Sequence, residues 1–288
     1  MAQAVIDSHQ HFWDPASGSC GWMTEKFAPI RRVFAPADLE PELAANGVDA
    51  TVLVQTWASL PETQEFLGIA AANRFVAGVV GWVDLTDPSV EATLAGLRAR
   101  ADGRYLVGIR HLVHDEPDPN WLLRDDVKRG LAAVGRAGLV YDLLLRPREI
   151  PAALSTVAAF PDLRFVVDHI AKPDIRAGAF APWAELMRRF APQRGHVWCK
   201  LSGMITEADW QAWQPQDLRP YVEEVLAIFG AERCMFGSDW PVCLVAGSYS
   251  RVKAALEFCL DRLSPAERAA VMGETAIAAY RLPDFVHG

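Results

Sequence analysis

The residues best equipped for chemistry come first in the chain. Val5-Ile6-Asp7-Ser8-His9-Gln10-His11-Phe12-Trp13-Asp14 is a short β-type run that carries His9 and His11 two residues apart. In a strand, residues i and i+2 share a face and the chain rises about 3.3 Å per residue, so the two imidazoles point the same way, roughly 7 Å apart at Cβ. Both rings can converge on one atom, either a divalent metal, for which neutral imidazole is the commonest ligand, or a substrate carbonyl oxygen. His169 ends the run Phe165-Val166-Val167-Asp168-His169, on the face of Phe165 and Val167. Asp239 ends Met235-Phe236-Gly237-Ser238-Asp239, just before Trp240-Pro241. Alone, a strand-end histidine is commonly a satisfied structural residue and a strand-end aspartate a helix cap. A site requires all four to be brought to one place.

The elements between them supply a way to do that. Apolar runs at 49–55, 75–83, 107–110, 140–145, 165–169, 197–201 and 234–237 follow the first strand, and stretches of helical character separate them. Runs such as Phe75 to Val83 are apolar throughout, the mark of a sheet buried on both faces. Helix stops are read at Asn46-Gly47, Gly138 and Gly230, and Ser264-Pro265-Ala266-Glu267 gives an N-cap, a first-turn proline and a capping-box glutamate. Eight such βα units with no linker between them predict one (β/α)8 barrel over residues 1–288. A doubly wound open sheet is the alternative, but no Gly-x-Gly-x-x-Gly follows any strand. A barrel places its chemistry at the carboxyl ends of its strands, where His9, His11, His169 and Asp239 all fall, with strands one and eight as neighbours. The loop from Asp14 to Ala35, long and holding Trp22 and Met23, is expected to cover the site.

Composition narrows the class of partner. The 288 residues are 51% hydrophobic and 22% charged, with a net charge of -8. That balance describes a globular protein with a large core and no basic face for nucleic acid. No run approaches the ~18 apolar residues that span a bilayer, and a cytoplasmic location is expected. Five cysteines, Cys20, Cys199, Cys234, Cys243 and Cys259, are odd in number and lack Cys-x-x-Cys spacing, as expected of reduced thiols. A homo-oligomer is compatible with the barrel, although no heptad or apolar stripe demands one.

Taken together, DSHQHFWD near the start, GIRH on strand four, VVDHIAKP on strand six, KLSG on strand seven and MFGSDWP on strand eight resemble the amidohydrolase superfamily. More narrowly, the chain is similar to the amidohydrolase-2 branch of sugar lactonases, typified by hydrolases of L-fuconolactone and L-rhamnonolactone. The resemblance runs over nearly the whole chain. It implies a distorted (β/α)8 barrel with His9, His11, His169 and Asp239 as its central groups. Many superfamily members hold two metals bridged by a modified lysine, with a further histidine on strand five. Here strand four offers Gly108-Ile109-Arg110-His111 and strand five Tyr141-Asp142-Leu143-Leu144-Leu145, without the lysine or the histidine. A binuclear centre is therefore not expected. The resemblance leaves two states, one zinc on His9, His11 and His169 or Asp239, or no metal at all.

The expected reaction is the opening of a sugar (aldono)lactone by water, with Asp239 as general base and then general acid and the histidines, or a zinc ion, on the oxyanion. Substrate contacts are expected from Arg110 or His111, which point to opposite faces of strand four, and from Lys172 and Lys200, each either in the site or ion-paired. Trp13, Trp57, Trp82 and Trp240 are placed around the mouth, Trp13 and Trp240 as candidate stacking partners for a sugar ring. Two rival readings are a metal-dependent decarboxylase of an aromatic acid on the same barrel and a non-catalytic barrel that binds a partner.

Overall fold

The computed structural model describes residues 4–17, 21, 23–193 and 195–282. Eight parallel strands follow one another around a single sheet in sequence order: β1 (Ile6–Gln10), β2 (Ala50–Val54), β3 (Val76–Gly81), β4 (Leu106–His111), β5 (Val140–Leu143), β6 (Phe165–Val167), β7 (Val197–Leu201) and β8 (Cys234–Phe236). Nearly every strand residue is buried, which explains the apolar runs. The helices that cover the sheet begin with α1 (Pro36–Asn46), α2 (Leu60–Ala72), α3 (Val90–Ala99), α4 (Asp125–Arg136), α5 (Ile150–Ala159) and α6 (Phe180–Arg188). They continue with the short α7 (Met204–Glu207), then α8 (Pro215–Phe229) and α9 (Tyr249–Cys259). The expected stops hold, with Gly47 at φ 61° just after α1, Gly138 at φ 71° shortly after α4 and Gly230 at φ 80° after α8.

The last helical stretch turns inward. It runs through α10 (Pro265–Ala269), a π turn over Ala270–Glu274 and α11 (Thr275–Tyr280). Ser264 caps it as read from the sequence, its Oγ accepting from Glu267 N while Glu267 Oε2 accepts from Ser264 N. Ala276, Ala279, Tyr280 and Leu282 pack against Ile6, Val52, Val80, Val107 and Val166, so α11 plugs one end of the barrel. The opposite end is left for the site. Among the described residues no helix is long and apolar enough to cross a membrane.

The barrel closes less regularly between β8 and β1 than elsewhere. The backbone contributes His11 N to Trp240 O at 2.7 Å and Asp239 N to His9 O at 2.8 Å. Side chains contribute the rest, chiefly through the fully buried Asp7. Its carboxylate accepts from Ser238 N (2.8 Å), Ser238 Oγ (2.6 Å) and Tyr249 OH (2.9 Å). Cys199, Cys234, Cys243 and Cys259 are free and buried, as expected of reduced thiols; Cys20 and Trp22 lie outside the described residues.

Candidate active site

β1 delivers His9 and His11 to the open end of the barrel on one face, with their Nε2 atoms 3.1 Å apart. Asp239 joins them from just beyond β8: its Oδ1 is 3.5 Å from His11 Nε2 and 3.9 Å from both His9 Nε2 and His169 Nε2. All four side chains are buried. Each histidine is held from its far side. His11 Nδ1 lies 2.7 Å from Val54 O and must donate to it, since a carbonyl only accepts, and His169 Nδ1 lies 2.9 Å from Ser202 Oγ.

The structure corrects the expected origin of His169. β6 ends at Val167, and His169, Ile170, Ala171 and Lys172 form a left-handed turn with φ of 52°, 49°, 56° and 49°. Two-residue alternation no longer sets the direction of the imidazole there. Left-handed backbone costs a residue with a Cβ about 1–2 kcal/mol, and the turn is held by burial and by two hydrogen bonds. Trp183 Nε1 donates to Ile170 O at 2.7 Å and Lys172 N to His169 O at 2.8 Å. Opposite the ring stands Gly203, at φ 64°, where an added Cβ would come within 2.6 Å of His169 Nδ1. Asp239 is left-handed as well, at φ 56°.

Behind the histidines lies a dry ionic layer. Lys200 Nζ is 2.7 Å from Asp142 Oδ2, 3.0 Å from Asp168 Oδ1 and 3.1 Å from His9 Nδ1. Arg110 Nη1 donates to Asp168 Oδ2 at 2.9 Å and approaches His9 Nε2 to 3.2 Å, while its Nη2 donates to Gln55 O. From the plug below, Tyr280 OH donates to Asp142 Oδ2 at 2.8 Å. Two cations and two carboxylates thus balance in a buried region that meets the cavity only at Arg110. Burial acts first on the three histidines. It pushes the His9, His11 and His169 pKa values down, toward the neutral ring. For Asp239 burial pushes upward, but the nearby His169, His11 and Lys172 outweigh it and hold the carboxyl below its usual value.

Above Asp239, His11, His169 and Arg110 opens a cavity of about 360 Å³. Trp13, Phe27 and Trp210 give it aromatic surface, and the ion pair between Lys172 Nζ and Glu207 Oε1, at 2.8 Å, gives it a polar wall. Of the contacts expected from sequence, Arg110, Trp13 and Lys172 line this cavity and three do not. His111 points to the other face of β4, where it stacks on Trp121 at 4.1 Å and bonds Trp82 and Glu116. Trp240 is packed edge-on to Phe12 and Phe34. Lys200 lies fully buried in the ionic layer. Trp57 is turned into a neighbouring groove. Lining residues that sequence reasoning missed include Lys26, Phe27, His114, Arg146, Glu207 and Trp210. They sit on irregular segments or short turns with no periodicity to read, and only the length of the loop over 14–35 signalled that it covers something.

Buried acid and imidazole groups gathered over a cavity at the open mouth of eight parallel strands define a (β/α)8-barrel enzyme. The chain belongs to the amidohydrolase family, whose model matches residues 6–282. It is 41% identical over 283 residues to an L-fucono-1,5-lactonase of Burkholderia ambifaria, covering 96% of this chain and 95% of that one. It is 38% identical to an L-fucono-1,5-lactonase of Burkholderia multivorans, covering 99% and 98%. Among solved structures, an amidohydrolase from Burkholderia multivorans superposes with TM-scores of 0.91 and 0.92 in two crystal forms, one with bound HEPES and one with bound zinc. That protein is 36% identical, and the match covers 97% of this chain and 100% of the other.

The family raises the question of a metal. By distance the residues qualify, since His9, His169 and Asp239 offer ligand atoms within 4.8 Å of one another. By chemistry they do not. A ligating histidine keeps one nitrogen bare and donates from the other to an acceptor. His9 instead meets an ammonium at Nδ1 and a guanidinium at Nε2, 3.1 and 3.2 Å away. A dication bound at His9 would face two fixed positive charges, so the reaction is derived from the chain's own groups.

Proposed function

We propose that this enzyme hydrolyses a sugar lactone of the L-fucono-1,5-lactone kind. The kinship with two L-fucono-1,5-lactonases over nearly the full chain supports the substrate class. The cavity, about 360 Å³, is of the size that takes a small molecule such as a six-carbon lactone with its hydroxyls. The observation that carries the chemistry is the buried Asp239 carboxylate at the cavity floor, kept ionised by His169, His11 and Lys172.

Asp239 takes a proton from water as the water oxygen bonds to the lactone carbon. The carbonyl oxygen gains the charge and is met by Arg110 and His169, which face the cavity. A well-placed donor of this sort contributes ~3 kcal/mol. Collapse breaks the bond to the ring oxygen, which takes the proton back from Asp239, leaving an open-chain hydroxy acid. One carboxyl group serves as base and then acid. Trp13 and the Lys172–Glu207 pair orient the ring and its hydroxyls.

The test is acid release from L-fucono-, L-rhamnono-, L-arabinono-, D-galactono- and D-gluconolactones, with protein as purified and after chelation. Rapid hydrolysis of at least one is expected, unchanged by chelation. Asp239→Asn is expected to lower kcat by ~10²–10⁴-fold with the melting temperature retained. Silence of the folded wild type across the panel would overturn the lactone reading, and near-normal turnover by Asp239→Asn would remove Asp239 from the mechanism.

A further inference from the structure

Lys200 is the one fully buried lysine of the described residues, and the hydrolysis outlined above gives it no task. Its surroundings are nevertheless specific. Its ammonium hydrogen-bonds Asp142 Oδ2 at 2.7 Å, faces His9 Nδ1 at 3.1 Å and pairs by charge with Asp168 Oδ1 at 3.0 Å. The contact with His9 is a hydrogen bond only if His9 Nδ1 is bare. The other side of the ring makes the same demand independently. His11 donates from Nδ1 to Val54 O, so a neutral His11 has its lone pair on Nε2, 3.1 Å from His9 Nε2. That contact is a hydrogen bond only if His9 Nε2 carries the proton. The approach of Arg110 Nη1 to His9 Nε2 at 3.2 Å argues the other way, since Asp168 Oδ2 at 2.9 Å takes only one of the two N–H groups of Nη1; it is one contact against the two just given.

We propose that Lys200 is a positioning residue: by occupying His9 Nδ1 it fixes His9 as the Nε2–H form, so that His9 presents an N–H, not a lone pair, to His11 and Asp239. For its kinetic consequence this rests on the lactone reading; for the state of His9 it rests on geometry alone. In this form His9 holds His11 in place and favours the ionised carboxylate of Asp239, whose Oδ1 lies 3.9 Å from the same nitrogen. Without Lys200, the nearest acceptor for His9 Nδ1 is Asp168 Oδ1 at 3.5 Å. The ring then protonates on Nδ1 and turns a bare Nε2 toward Arg110 Nη1, 3.2 Å away. The lysine thus decides whether the same nitrogen of His9 donates toward His11 or accepts from Arg110.

The test begins on the wild-type protein with ¹⁵N NMR of the histidine rings, His9 being assigned by difference from His9→Asn. A protonated Nε2 and a bare Nδ1 are expected; a proton on Nδ1 overturns the proposal. Lys200→Met is then compared with wild type by the same ring NMR and by kinetics. The proton of His9 is expected to move to Nδ1 in the variant, and kcat to fall by roughly 10–100-fold with KM nearly unchanged, the size of effect seen when an outer partner of a site histidine is removed. Because Lys200→Met leaves an uncompensated buried carboxylate, Lys200→Met combined with Asp142→Asn serves where the single variant does not fold. A folded variant with full kcat and an unchanged His9 tautomer overturns the assignment. Should the wild type show the Nε2–H form yet hydrolyse no lactone, the lactone reading fails and the role of Lys200 toward His9 stands.

Discussion

Asp239 is pulled in two directions, by burial toward the neutral acid and by His169, His11 and Lys172 toward the carboxylate, and the second pull wins. A general base with a depressed pKa stays competent as pH falls, so the acid limb of kcat/KM is expected below the ordinary carboxylate range. Lys172 contributes a positive charge to that depression; Lys172→Met should raise the pKa of Asp239, protonate the base at higher pH and move the acid limb upward. A pH–rate profile checks this, and an unmoved limb would mean that Lys172 acts on substrate hydroxyls alone. His9 was legible in the sequence because type and strand position coincide; His11 and Asp239 were legible by type and by their place just past the ends of β1 and β8, although neither lies in the strand itself. Glu207 and Trp210 were not, since Glu207 ends the one-turn α7 and Trp210 follows it, too short a run for any periodicity to say where they point. Lys200 was visible as an oddity in an apolar run, but its choice of partners depended on Asp142 and Asp168, which are neighbours only once β5, β6 and β7 are laid side by side.

Strands and most helices could be read from apolar runs, glycine stops and the Ser264 cap, because these are local signals. Two features of the elements could not. One is the left-handed turn from His169 to Lys172, which contains no glycine and includes the β-branched Ile170, the kind of residue that local reasoning places last in such a conformation. The other is the seam between β8 and β1. Asp7 lies 231 residues from Ser238 and 242 from Tyr249, and nothing near it in sequence announces either partner. Asp7→Ala would strip the acceptor from these donors inside a dry joint, and an unfolding cost of ~2–4 kcal/mol is expected by denaturant titration. Amide exchange should rise first in β1 and in the segment after β8, whereas exchange spread evenly over all strands would show that the ladder alone holds the barrel closed.

At the scale of the molecule, the barrel is built in two levels. The lower one is apolar and stoppered by α11; the upper one carries Arg110, Lys200, Asp142 and Asp168, with Tyr280 joining the two. The rhythm of the chain predicted the barrel and the end at which its residues gather, but not the stopper, since a closing helix leaves no mark on periodicity. The ionic level has a consequence for heat. Hydration of ions becomes less favourable as temperature rises, so the penalty for keeping these four charges dry shrinks on warming, while the contribution of the apolar level levels off. The region around His9 should therefore be the last part of the barrel to loosen. Initial rates of lactone hydrolysis are expected to climb until the cooperative melt seen by circular dichroism and to vanish with it; activity lost well below the melt would show that the catalytic groups come apart first.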